Sequence, residues 1–260
     1  MYKIIKYSFA DLMRSRWSYV YFFFYLILGF ILLFLNHNVS KAVITLMNVI
    51  IVLTPLIGTI FGIMYHYSSR EFTTLLLSQP IQRKTIFIGQ YLGVSISLAL
   101  SMVLGLGIPF VAYGLFESSE IWNFGILLAV GAFLTFIFVA LAINIGLSND
   151  NKIKGFSYAI LMWLLLAVAY DGIILSMLSY FNDYPIDKFS LVAILLNPID
   201  LSRMLILLKL DISALLGYTG AVFKSFFGTN VGFIVSTAVL SLWTLIPLWF
   251  IIKKANKKNF

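Results

Sequence analysis

The side chains able to do chemistry are few, and their spacing excludes most of it. The chain has no cysteine and two histidines, His37 and His66, set apart by a long apolar run. A His/Cys metal site within one chain is therefore excluded. Met162, Met177 and Met204 carry sulfur suited to Cu(I), but without tight spacing they read as packing residues. No Gly-x-x-x-x-Gly-Lys-Ser/Thr loop is present to cradle nucleotide phosphates, and no His-Glu-x-x-His. Gly93-Val94-Ser95-Ile96-Ser97 lacks the closing glycine of a nucleophile elbow. One carboxylate, Asp171, lies inside an apolar run, in Ala169-Tyr170-Asp171-Gly172. An ionisable group at membrane depth costs on the order of 2.5–3.5 kcal/mol, so it faces a partner or a water-filled cavity. Two readings stand for it: a group lining the outer part of a cavity, or an interfacial acid bonded to a hydroxyl such as Tyr170 or Ser176.

The elements that must position these groups are membrane helices. The 260 residues are 61% hydrophobic and 11% charged, with a mean hydropathy of +1.00. A soluble domain carries about 25% charged residues, so a water-facing globule, a disordered tail and a disulfide scaffold are set aside together. A span needs about 20 apolar residues to cross a ~30 Å core. Six runs qualify, at about 17–35, 42–64, 86–116, 121–147, 156–180 and 231–252. The first is too long for a signal core and no small-residue cleavage site follows it. The runs are continuous rather than alternating, which excludes a membrane barrel. The fold class is all-α integral membrane, a single domain over 1–260.

Basic residues stay on the cytoplasmic side. With both termini inside, 13 of the 18 basic residues fall there: Lys3, Lys6, Arg14, Arg16, Arg70, Arg83, Lys84, Lys152, Lys154, Lys253, Lys254, Lys257 and Lys258. The net charge of +8 is thus a topology signal, and nucleic acid is not a partner. The run 190–210 is apolar enough to imitate a seventh span. Asn197-Pro198-Ile199-Asp200 breaks it, so the region 182–230 is read as an external connection with two short or re-entrant helices, 191–210 and 213–227. At the N-terminus, Ile4, Ile5, Phe9, Leu12 and Met13 share one helical face while Lys3, Lys6, Arg14 and Arg16 stay wet. That pattern fits an interfacial helix, or a plain basic anchor for the first span. Pro55, Pro109 and Pro247 can kink their helices, and Gly58/Gly62 and Gly89/Gly93 allow close helix approach.

The connection between the second and third spans is the sharpest segment. Arg70-Glu71-Phe72-Thr73-Thr74-Leu75-Leu76-Leu77-Ser78-Gln79-Pro80 is too polar to cross, yet its apolar residues are too many to dangle in water. A short helix docked in another protein's groove satisfies both constraints, with Phe72 and Leu75–Leu77 as anchors and Glu71 at the rim. An interfacial helix without a partner also does.

The run from Arg70-Glu71-Phe72 through Leu76-Leu77-Ser78-Gln79-Pro80-Ile81 to Gly89-Gln90-Tyr91-Leu92-Gly93 resembles the ABC-2 family of ABC-transporter permeases. The resemblance covers the whole plan of six spans, basic N-terminal helix and external helices before the last span. It implies a non-catalytic membrane subunit whose segment 70–80 is the coupling helix, working as two copies with two separate ATPase subunits that hold ATP and Mg. No cofactor is implied in this chain. Leu196-Asn197-Pro198-Ile199-Asp200 and Leu215–Gly228 resemble, more narrowly, permeases that serve copper–sulfur site maturation of nitrous oxide reductase. That likeness implies a bacterial inner membrane and a periplasmic copper-handling partner. Asn197, Pro198, Asp200, Tyr218 and Phe223 would then form an external gate or dock. A scaffold that passes ATPase motion across the membrane without cargo, as in gliding-motility systems, shares the coupling segment. An intramembrane enzyme would need convergent polar residues that Asp171 alone does not supply.

Overall fold

The computed structural model describes residues 1–36, 39–118, 120–180, 187–209 and 230–257, and every regular element among them is helical. In order they are α1 (Tyr2–Arg14), α2 (Arg16–Asn36), α3 (Val39–Ser68), α4 (Arg70–Leu77), α5 (Arg83–Ala112), α6 (Ile121–Ser148), α7 (Lys152–Leu164), α8 (Tyr170–Tyr180), α9 (Asp187–Leu196), α10 (Pro198–Lys209) and α11 (Asn230–Lys257). A π-helical turn, Leu165–Ala169, joins α7 to α8 as one rod. Six helical stretches are long and apolar enough to span: Arg16–Asn36, Val39–Ser68, Arg83–Ala112, Ile121–Ser148, Lys152–Met177 and Val231–Asn256. They coincide with the six apolar runs because each run exceeds the ~20 residues of a crossing. The third ends at Ala112, earlier than its apolar run, because Gly114 takes up φ 88° and turns the chain into a 3₁₀ turn, Leu115–Glu117. The fifth begins at Lys152, earlier than its run, because the Asn151 side chain accepts hydrogen bonds from the Ile153 and Lys154 N–H groups.

The core lies where α3, α5 and α6 meet. Gly58 and Gly62 bring α3 against Phe138, Val139 and Ala142 of α6; a Cβ on Gly62 would stand 3.0 Å from the Ala142 Cβ. Tyr25 of α2 reaches inward and shares a 2.8 Å hydrogen bond with the Thr54 hydroxyl, satisfying two buried polar groups at once. Within the central windows of the third and fourth spans 61% of residues are buried, against 6% in the fifth. The fifth span is therefore an outer helix held along one edge.

Helices α9 and α10 meet at a bend of 112°, which sends the chain back toward the side it came from. A bend of this size belongs to a broken span or to a re-entrant hairpin. Asn197 supports the turn: its side-chain oxygen accepts from the Ile199 N–H at 3.0 Å, and Pro198 occupies the first position of α10, where no N–H is needed. The expected second external helix, 213–227, lies outside the described residues, as do Tyr218, Phe223, His37 and Lys258.

Candidate coupling surface and polar cluster

Helix α4 is fixed to the bundle along one side. Thr73, 5% exposed, accepts a 2.8 Å hydrogen bond from the Gln90 amide of α5 and donates to the Ser69 carbonyl. Arg70 donates to the Asp150 carboxylate and carbonyl, each at 2.9 Å, and stands 5.3 Å from the Tyr67 ring centroid. Tyr67 itself donates to the Asn149 carbonyl at 2.8 Å. The segment is thus tied at once to α3, to α5 and to the turn between α6 and α7.

Phe72 points back into the chain rather than outward: its ring stacks on Tyr7 of α1 at 4.3 Å between centroids. What α4 leaves to solvent is Glu71, Thr74, Ser78, Gln79, Pro80 and Leu75, the last 66% exposed, with Leu76 and Leu77 half-buried beside it. An aromatic anchor for another protein was the expectation for Phe72; the nearness of α1 gives it a partner within the chain. Helix α1 lies on α5 through Ile4, Ser8 and Leu12, a row at i, i+4, i+8. Ser8 was not expected on that face. It is buried because Gly93 leaves room for it, as Gly89 does for Ile4 one turn earlier. Replacing Gln90 by leucine should leave the Thr73 hydroxyl short of one bond and lower stability by about 1 kcal/mol. Thermal unfolding of the purified protein measures this; an unchanged midpoint would show that Thr73 does not hold α4.

A second polar group gathers where the α9–α10 hairpin meets the fifth span. Arg203 of α10 bonds the Asp171 carboxylate at 2.7 Å and the Asp200 carboxylate at 3.4 Å. Asn197, fully buried, donates to Asp200 Oδ2 at 2.9 Å and to the Leu166 carbonyl at 2.8 Å, within the π-helical turn. Tyr170 donates to the Ala193 carbonyl at 2.6 Å, and the Trp243 indole to the Leu195 carbonyl at 3.5 Å. The hairpin tip is thus fastened to the fifth and sixth spans. Asp171 has an arginine for its partner, not the hydroxyl of Tyr170 or Ser176; Ser176 donates to the Gly172 carbonyl instead. Asp171 is not among the residues lining the groove of about 790 Å³ between α6, α7 and α11. Asn197, Pro198 and Asp200 stand together at the tip. Two carboxylates share one guanidinium here, so the cluster carries one uncompensated negative charge if both acids are ionised. Sequence reading named Asp171 and Asp200 but missed Arg203 as their partner: its i,i+3 spacing to Asp200 on α10 was a local signal, whereas nothing local connects it to Asp171, 32 positions away.

The described residues are all-helical with six candidate spans and a short amphiphilic helix between the second and third, which defines a multi-pass membrane protein. Residues 5–214 match the family described as ABC-2 family transporter protein, and the chain belongs to that family. It is similar to the probable ABC transporter permease protein NosY of Stutzerimonas stutzeri, 27% identical over 136 residues, covering 50% of this chain and 49% of that protein. The match thus spans about half the length of the curated relative.

Proposed function

We propose that this chain is the permease subunit of an ABC transporter in a bacterial inner membrane, present in two copies and driven by two separate ATPase subunits docked on α4. The observation that carries the reading is Leu75 exposed on a helix rigidly braced to three parts of the bundle. A surface that is to pass movement from a partner into the spans needs an outward apolar contact and stiff inward ties, and α4 has both. The face bearing α4 and the basic ends of α7 and α11 is then cytoplasmic, since a topology with both termini inside assigns 13 of the 18 basic residues to that side. The hairpin 187–209 lies toward the other side, where its polar cluster is suited to act as an external gate. The likeness of 196–200 to permeases of nitrous oxide reductase maturation directs the same machine to copper–sulfur site assembly, with a periplasmic copper-handling partner at that gate.

Leu75→Ala combined with Leu76→Ala tests the coupling surface. Buried apolar anchors at a protein contact contribute about 2 kcal/mol or more, and rim charges such as Glu71 less. The double variant should insert normally but bind the ATPase at least tenfold more weakly, read by co-purification and by ATPase turnover in the complex. Full association with coupled turnover would make α4 an ordinary surface helix and overturn the proposal.

A further inference from the structure

The cavity between α6, α7 and α11 has the make-up of a lipid site. Its volume, about 790 Å³, is within the range of ligand pockets. The walls are apolar, formed by Leu141, Met162, Leu242, Trp243 and Ile246, and Leu195 and Leu196 of the hairpin tip close one end. The opposite end is polar, with Asn144, Ser148, Asn149 and Lys254. Tyr158, Leu242, Ile246 and Phe250 are each 42–52% exposed, so the groove opens sideways between α7 and α11. In a bundle that crosses a bilayer, such a mouth faces acyl chains.

The polar end is cationic and lacks an anion. Lys254 Nζ donates to the Ser148 hydroxyl at 2.6 Å and the Asn144 carbonyl at 3.1 Å, both neutral. Among the described residues no carboxylate lies within ion-pair distance of it. Asn144, 7% exposed, spends its side-chain N–H groups on the Ala140 and Pro247 carbonyls, so Lys254 is the donor left to face an anion here. Next to this end, Lys253 Nζ lies 5.0 Å from the Trp249 ring centroid, as at a headgroup level. From Leu242 to Lys254 the helix rises about 18 Å, close to one leaflet's share of a ~30 Å hydrocarbon core. Length, polarity and charge together match one class of molecule.

We propose that this groove binds an anionic phospholipid from the surrounding leaflet, with an acyl chain between α7 and α11 and its phosphate at Lys254. Basic pockets between membrane helices hold such headgroups, and one lysine near the lipid surface is worth about fivefold in binding. The site lies away from α4 and meets the polar cluster only at the hairpin tip, through Leu195, Leu196 and Trp243, so lipid retention is read independently of the proposed transport role.

The test is native mass spectrometry of the full-length protein in mild detergent, offered equal amounts of phosphatidylglycerol and phosphatidylcholine with the same acyl chains. Phosphatidylglycerol should be retained in excess. Lys254→Gln should lower its retention about fivefold and leave phosphatidylcholine unchanged, whereas Lys41→Gln, at the other end of the bundle, should change neither. Ile246→Trp, which fills the groove, should reduce both lipids. Equal retention of the two lipids by the unaltered protein would overturn the proposal without any variant having to fold. So would indifference to Lys254→Gln, or full displacement by glycerol 3-phosphate alone, which would show that no acyl chain is held. A disulfide formed between two copies through Leu242→Cys would assign the groove to a second copy instead.

Discussion

Arg203→Ala should be the most damaging single replacement around the α9–α10 hairpin. It leaves Asp171 and Asp200 facing each other without their shared cation, in side chains 27% and 12% exposed. Removing one partner of a buried pair costs about 3–5 kcal/mol because the remaining charge is uncompensated. The partial exposure of Arg203 and Asp171 places the expected loss near the lower figure, about 3 kcal/mol. Thermal unfolding should show it, and a cysteine placed in the hairpin should label faster as the tip comes away from the fifth span. Adding Asp171→Asn to Arg203→Ala should restore much of the loss, since one carboxylate is neutralised. Asp171→Asn alone should change stability little, because Arg203 then balances Asp200 one to one. If that single variant folds normally and also functions normally, Asp171 is a structural ligand of Arg203 and nothing more. If Arg203→Ala melts like the unaltered protein, the cluster does not fasten the hairpin.

Gly93→Val should have the second largest effect, at the other end of the bundle. A Cβ at this position would lie 2.6 Å from the Ser8 Cβ and 3.0 Å from the Ile5 carbonyl oxygen. Neither neighbour is the free end of a flexible side chain, so α1 as a whole must shift. Overpacking of this kind costs about 1–3 kcal/mol, sometimes more. The six spans can stay assembled, so the loss should appear as release of α1: faster proteolysis near Arg14 and loss of the Tyr7–Phe72 stack. Freed from that stack, α4 should transmit less, and turnover in the complex should fall. Gly107→Ala on the same helix is the control. A Cβ there meets nothing within 4 Å, and exchanging glycine for alanine in a helix is favourable by up to ~1 kcal/mol. Equal behaviour of the two variants would show that α1 does not depend on the glycine slot.

The sequence by itself determined the number and rough extent of the candidate spans, the uneven share of basic residues among their connections, and the place of the short helix between the second and third. These signals are local: a run of apolar residues, a proline, a count of lysines. Each is complete within about 20 residues and survives whatever the neighbours do. The Asn197-Pro198 break was legible for the same reason, because an N-cap and a proline at the first helical position act on their own backbone. The tertiary structure decided which groups meet. Arg203 reaches Asp171 across 32 residues and Arg70 reaches Asp150 across 80; no periodicity records such distances. Phe72 reads from the sequence as an anchor for a partner; in the fold its ring stacks on Tyr7 of α1, which comes close to α5 where Gly89 leaves room for Ile4 and Gly93 for Ser8. The polar end of the groove depends likewise on α6 and α11 bringing Asn144 and Lys254 together from 110 positions apart. In an apolar chain almost every helix face is suited to burial, so hydrophobicity sets which segments become helices. The few small and polar residues then set how the helices pack, and their effect is fixed only when the partner helix is in place.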